Sequence, residues 1–446
     1  MPYTYATLAQ VRIQLASKLY DTGATQFWSD AEKNLYIYEA LRTWNSLTGM
    51  WRIEFPFPVS QGLNWYDIPS AVGSPRPYTL ADNDLIQIIE YHLLEPATPT
   101  YPLVWTGSLQ LSMTDILNAI QRRRDEVLSM TACTTTRQLV MAVPSRIYLS
   151  DNSIDIRRIA WLPVQIGKGY SNVPLWPDDM FGIGAYERDF TVAGEDIPTS
   201  YQRNVEPPLS FDVDVTPPVN GQYDVLTVNA GPMLSVLTPT ILGIPDDFAW
   251  VIKWGVLADL LSRESNAKDE LRAKYCEMRY QQGIAALRIA PSILYARVDN
   301  IPMDVQSVQD LDNFRPTWQA EPQQMPDTIA TAGLNMLTLA PAPDIPYDIT
   351  IGVVSNAPIP ANDGDLVQVS REDLEALGDY AQHIASFKMG GSEFMSTIPL
   401  LDRFHKRAAL YNSKLNELGE YTKPTYDLGQ LQSEANPVFE QDPGKE

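Results

Sequence analysis

Twice along this chain a strand pattern passes through a short break, Pro-containing in the first copy, into a pair of amphipathic helix patterns. The first copy reads Tyr223-Asp224-Val225-Leu226-Thr227-Val228, then Ile244-Pro245-Asp246-Asp247, then helical spacing over 248–261 and 271–287. The second reads Tyr347-Asp348-Ile349-Thr350-Ile351, then Ser370-Arg371-Glu372-Asp373, then helical spacing over 374–387 and 400–418. A Pro-rich loop precedes each strand, Pro217-Pro218-Val219-Asn220-Gly221 and Pro341-Ala342-Pro343-Asp344-Ile345-Pro346. Gly255 and Ala258 on one helix match Gly378 and Ala381 on the other, and small residues in that register let helices approach closely. A scaffold used twice confines the chain to a duplicated plan of strands and helix pairs.

The front half carries its own echo. A helix is expected over 8–20, stopped by Asp21-Thr22-Gly23. Ser29 and Glu32 have capping-box spacing ahead of a helix whose inner face is Ile37, Ala40, Leu41, Trp44 and Thr48, ending at Gly49. Trp51-Arg52-Ile53-Glu54-Phe55 alternates like a strand, and the apolar run 85–94 predicts another. Ser112 then caps a helix with Met113, Ile116, Leu117, Ile120, Val127 and Leu128 inward. Strands over 139–143 and 154–159 follow. Asp82-Asn83, Asp151-Asn152 and Asp299-Asn300 each precede an expected strand, the last being 303–308.

This order predicts an α+β fold of amphipathic helix bundles combined with small antiparallel β-sheets, built from one duplicated module. Two helix-plus-strand units cover 1–100 and 101–168. Two strand-plus-helix-pair units cover 169–298 and 299–421. Residues 422–446 are polar, hold Pro424, Pro437 and Pro443, and are expected to lie over a partner or stay disordered alone.

At 446 residues, 44% hydrophobic, the chain exceeds one ordinary core but can bury several. Thirty-five prolines against 24 glycines favour fixed turns over flexible linkers. The net charge of −22 repels nucleic acid and anionic membrane, so DNA gripping is not expected. Cys133 and Cys276 lack zinc-ribbon or disulfide-scaffold spacing and fit a reducing compartment. With no signal peptide and no uncharged apolar stretch long enough to span a bilayer, a soluble protein made in a cytoplasm is expected.

Catalytic signatures are missing. His92, His383 and His405 show no metal-ligand spacing and read as packed or surface residues. Asn362-Asp363-Gly364-Asp365 suggests a calcium loop, but Gln368 and Leu374 occupy the positions needing Gly and Glu, so a turn is expected. Nucleophile-elbow and nucleotide-cradling motifs are absent from the sequence, and no carboxylate pair stands out among 55 acids. The expectation is a non-enzyme with no cofactor and no metal.

Arg122, Arg123 and Arg124 form the densest basic cluster; on a helix they cannot all face one ligand. A solvated face beside Asp125 and Glu126 competes with ion pairs to an acidic neighbouring subunit. Trp28, Trp65, Trp176 and Trp318 fall near turns or prolines, where aromatic anchors of interfaces occur. A sugar-binding platform is the rival reading, but no strand alternates aromatics.

Phe27-Trp28-Ser29-Asp30-Ala31-Glu32 through Ala40-Leu41-Arg42-Thr43-Trp44 resembles the opening of tailed-bacteriophage head-to-tail adaptor (neck, or connector) proteins. Leu339-Ala340-Pro341-Ala342-Pro343-Asp344 before Tyr347-Asp348-Ile349-Thr350-Ile351 is similar too, as is Ile154-Asp155-Ile156-Arg157-Arg158-Ile159 between them. The tail-tube-type adaptors of short-tailed phages are the nearest likeness. The resemblance implies a virion protein in the neck and tail region that forms a homo-oligomeric ring, usually of twelve subunits. Such a ring docks under the portal protein, meets tail or nozzle proteins, and lines a channel through which DNA passes without specific binding. Fibre proteins are possible further partners, and no membrane is involved. The C-terminal segment, with Tyr421, Tyr426 and Phe439, is implied to reach onto the portal. A departure is the doubling of both halves. The alternatives are a tail hub or fibre-attachment protein and, from another class, a carbohydrate-binding or depolymerising tail protein.

Overall fold

The computed structural model describes residues 5–23, 25–94, 111–143, 146–163, 173–179, 182, 195–218, 221–264 and 268–417. Helices α1 (Leu8–Lys18) and α2 (Asp30–Thr48) lead into β1 (Arg52–Pro58) and β2 (Trp65–Asp67). Next come α3 (Asp82–Leu93), α4 (Met113–Thr131), β3 (Thr136–Met141), β4 (Ile147–Tyr148) and β5 (Ser153–Pro163). They are followed by β6 (Val173–Pro177), β7 (Ser200–Asn204), β8 (Ser210–Val213), β9 (Gly221–Asn229), α5 (Ala249–Ser262) and α6 (Glu270–Ile289). The chain continues through β10 (Tyr295–Val298), β11 (Ile301–Ser307), α7 (Val308–Phe314), β12 (Thr328–Ala332), β13 (Met336–Ala340) and β14 (Asp348–Val354). Helices α8 (Arg371–Ser386), α9 (Gly391–Met395) and α10 (Ile398–Glu417) complete it.

Most of these elements follow from local chemistry. Thr7, Ser29, Ser112, Ser307 and Ser370 each cap a helix by accepting a backbone N–H of its first turn. At the other end, Gly49 and Ala132 take left-handed conformations that stop α2 and α4 just before β1 and β3. Asp299 and Asn300 both have positive φ, 47° and 65°, and make the tight turn between β10 and β11. One expectation is overturned: 85–94 lies almost wholly in α3, not a strand. Leu85, Ile86, Ile88 and Ile89 form one buried helical face, and Asp82 and Asp84 favour the first turn. Asp82-Asn83 therefore opens a helix.

The fold is α+β, with two mixed seven-stranded sheets of identical plan. Their orders are β1-β14-β10-β11-β12-β13-β2 and β3-β9-β5-β6-β7-β8-β4. In each, one pair is parallel, β11 with β12 and β6 with β7, and the other pairs are antiparallel. The sheets are thus larger than expected and not purely antiparallel; parallel neighbours need a crossover, which α7 supplies between β11 and β12. Strand by strand, β1, β2 and β10–β14 correspond to β3, β4 and β5–β9.

The helices match as well. In one module α1 packs on α2 and α8, and α10 on α8 and α2; in the other α3 packs on α4 and α5, and α6 on α5 and α4. Even isolated bridges correspond: Thr7 pairs with Leu366 before α1 and α8, and Ala81 with Ile241 before α3 and α5. The duplication is nested. Elements from α3 to α6 form one contiguous module, inserted between β2 and β10 of the other. The expected units 1–100 and 299–421 share one sheet, and 101–168 and 169–298 share the second. Helix α3 and strand β10 lie with the opposite partners from those spans.

Helices of both modules merge into one apolar core, which includes Trp44, Trp254, Leu257, Tyr380 and Phe404. Helix α5 is mostly apolar and buried on nearly every side, because it lies between its own module and its neighbour. Each sheet keeps a separate core, and Trp65, Leu226, Leu311 and Trp318 join the two sheets. Pro56 and Pro58 sit on edge strand β1, where a missing N–H is tolerated.

Candidate assembly surfaces

The junction between the helical halves is a buried polar network. Lys253 Nζ on α5 lies 2.6 and 2.7 Å from the two carboxylate oxygens of Glu39 on α2. The Tyr380 hydroxyl on α8 donates to Glu39 Oε1 at 3.3 Å, and Arg279 Nη2 on α6 donates to that hydroxyl at 3.1 Å. Arg279 Nη1 also lies 3.3 Å from His405 Nε2 on α10. Tyr275 Oη on α6 is 2.6 Å from His383 Nε2 on α8, whose Nδ1 is 2.8 Å from Thr397 Oγ1. The links of Glu39 with Lys253, Tyr380 with Arg279, His405 with Arg279 and His383 with Tyr275 join one module to the other; Tyr380 with Glu39 and His383 with Thr397 stay within one.

Burial governs the charge states. It pushes all three histidines down, His405 to about 3, with Lys253 adding to the effect at His92 and Arg279 at His383 and His405. Burial also lowers Lys253, opposed by the Glu39 charge. Asp247, which accepts from Asn45 Nδ2 at 2.6 Å, is pushed up to about 6 by burial. Such groups hold helices in register.

A second junction links the sheets. Arg158 on β5 grips Asp312 on α7 through Nε at 2.5 Å and Nη2 at 2.9 Å, a bidentate pair. The Trp318 indole donates to Asp312 Oδ1 at 2.9 Å, and Gln319 Nε2 donates to Asp224 Oδ2 at 2.6 Å. Arg137 holds the other oxygen of Asp224 at 2.6 Å.

The expected interface residues separate. Trp28 and Trp318 are buried within the chain, Trp28 donating to the Ala385 carbonyl at 3.1 Å, so both anchor intrachain packing and neither ring is offered to a subunit. Trp65 is buried too, whereas Trp176 is exposed. Arg122 and Arg123 both reach Asp259 while Arg124 turns inward, so the three do not share one partner, and the solvated-face expectation holds for Arg122 alone. Arg122 is 67% exposed and pairs with Asp259 at 2.5 Å. Arg123 clamps Asp259 and Glu277 and lies over the Tyr280 ring. Arg124 is fully buried against Gly231, and burial lowers its pKa. Tyr421, Tyr426, Phe439 and the tail 422–446 lie outside the described residues.

Glu32 departs from the capping box: its backbone N–H meets Ser29, but its carboxylate takes Tyr36 and Lys388 instead. Asp363-Gly364-Asp365 is a turn, with Asp365 accepting the Ala361 and Asn362 N–H groups and Asp363 paired to Arg12. Glu39, Lys253, Arg279 and Tyr380 escaped the sequence reading. One signal was available: Lys253 is the lone cation in a helix that is otherwise apolar except for Asp259 and Ser262 near its end, which demands a buried counter-charge.

Among the described residues no group of three or more His, Cys, Asp or Glu is placed to hold a metal ion, and no helix is long and apolar enough to cross a membrane. No protein-family model matches the chain, and no curated protein matches it.

Proposed function

We propose that this chain is a structural, non-enzymatic virion protein: a head-to-tail adaptor that forms a ring between portal and tail and lines the DNA channel. The observation that carries the reading is the pair of modules with one topology, packed side by side through buried helices. A chain that already packs one such module against another is suited to assemblies made of many. The acidic balance supports it, because a channel wall that releases no counterions lets DNA slide. The segments that carry the family resemblance form the start of α2, strand β5, and the turn before β14, all at the framework of the modules. On this reading the twelvefold of the resemblance counts modules, so six chains would complete it. Electron microscopy of the purified chain, alone and mixed with the portal of its phage, tests the proposal. A ring with an open centre that binds portal is expected; a trimer without a channel that degrades polysaccharide would reject it.

A further inference from the structure

We propose that copies of this chain join head to tail by repeating, between chains, the contact that its two modules make within one. The intrachain contact is one-sided. One module presents α2, α8 and α10; the other receives them on α3, α5 and α6. A two-fold contact would also place α4 against α1, α8 or α10. Among the described residues no hydrogen bond or ion pair does so. A one-sided contact leaves an unused presenting face at one end of the chain and an unused receiving face at the other, and such contacts propagate into rings when the rotation closes.

Both unused faces are visible. Helix α2 seats beside α3 and α5, where Leu35 and Ile88 line one groove. The matching place on the first module, between α1 and α8, is an open groove of about 930 Å³, lined by Ile13, Gln14, Lys18, Leu374 and Glu375. The matching presenting face is α4, flanked by a loop that Gln121 holds through the Leu234 N–H and that exposes Met233 and Leu237.

Aligning matched helices by their starts shows what would meet. Arg279 and His405, in contact within the chain, correspond to Arg407 and Glu277. Glu39 corresponds to Arg122, and, with α5 and α8 set in register by Gly255 and Gly378 rather than by their starts, Ile252, beside Lys253, corresponds to Glu375. The pairs between chains are thus Arg407 with Glu277, and Glu375 with Arg122. Each joins opposite charges that are partly or largely exposed. The presenting side also carries Glu126 and Asp115, paired to Arg123 and Arg263, and the receiving side Lys18 and Arg403, both paired to Asp379. The competing meaning of polar end faces is that they cap the chain and keep it single.

Sedimentation of the full chain, with Glu277→Arg, Arg407→Glu and both together, decides between them. The expected result is assembly of the unaltered chain, self-association at least about tenfold weaker in each single variant, and recovery in the double variant. Circular dichroism melts close to the parent's show that the variants fold. A second measurement joins Gln14→Cys to Asn118→Cys, counterparts of Ile88 and Leu35, with a short thiol crosslinker. Products of two or more chains are expected. A chain that sediments as a monomer, single variants that assemble fully, a double variant that stays apart, or no crosslink overturns the contact. The contact stands independently of the adaptor role: a chain that assembles this way but ignores portal keeps it and loses only that role.

Discussion

Lys253 and Glu39 sit 2.6 Å apart with both side chains buried, and they belong to different modules. The pair lies where the mostly apolar α5 meets α2. Tyr380 and Arg279 extend it into a network that ties helices from both ends of the chain. A buried pair of this kind fixes register more than it adds stability, because desolvation offsets most of the attraction.

Lys253→Met alone leaves the Glu39 carboxylate buried without its cation, and the expected cost is about 3–5 kcal/mol. Pairing it with Glu39→Leu removes both charges and should recover most of that loss. Urea unfolding of both variants measures it; a double variant no better than the single would contradict the assignment.

Acid should weaken the helical junction. The three histidines are held below their ordinary value, so the folded state stays unprotonated while the unfolded chain takes up protons below about 6.5. Their contribution is intact above that value and is lost as pH falls towards the folded pKa, about 3 for His405. Each histidine adds a slope of about 1.4 kcal/mol per pH unit. Asp247 opposes this weakly, since its raised pKa favours the folded state as pH falls through about 6. Melting between pH 7 and 4 should show a net decline that His405→Gln makes shallower.

Gly255 and Gly378 occupy matching places but should respond in opposite directions to alanine. A Cβ at Gly255 would lie 2.8 Å from the Tyr280 ring, inside the helix pair. At Gly378 the nearest atom is the flexible end of Lys18 at 3.2 Å. Gly255→Ala should cost about 1–3 kcal/mol through overpacking. Gly378→Ala should gain up to about 1 kcal/mol of helix propensity. Thermal melts of both variants check the contrast.

Arg158→Met strands the buried Asp312 carboxylate at the junction of the sheets, while Asp224 keeps Arg137. A loss of about 3–5 kcal/mol is expected. Trp318 fluorescence should shift as the indole loses its ordered acceptor, reporting the junction directly.

The repeat was legible because strand alternation, serine caps and helical spacing are local. Ser29, Ser112 and Ser370 announce their helices, and each helix expected between Leu8 and Glu417 is present. The run from Leu85 misled because a short apolar stretch fits a buried strand and a buried helix alike. Trp28 and Trp318 misled because proximity to a turn says nothing about which neighbour covers a ring. The pairing of Arg158 with Asp312 could not be foreseen: they lie on different modules, and nothing local links them.

Local pattern therefore determined the elements, their caps and their duplication, since each depends on residues within a few positions of one another. Tertiary structure decided that the copies are nested, with β1 beside β14 and β3 beside β9. It also decided that the contact between them is one-sided, because strand partners and buried charge pairs are chosen by packing across hundreds of residues.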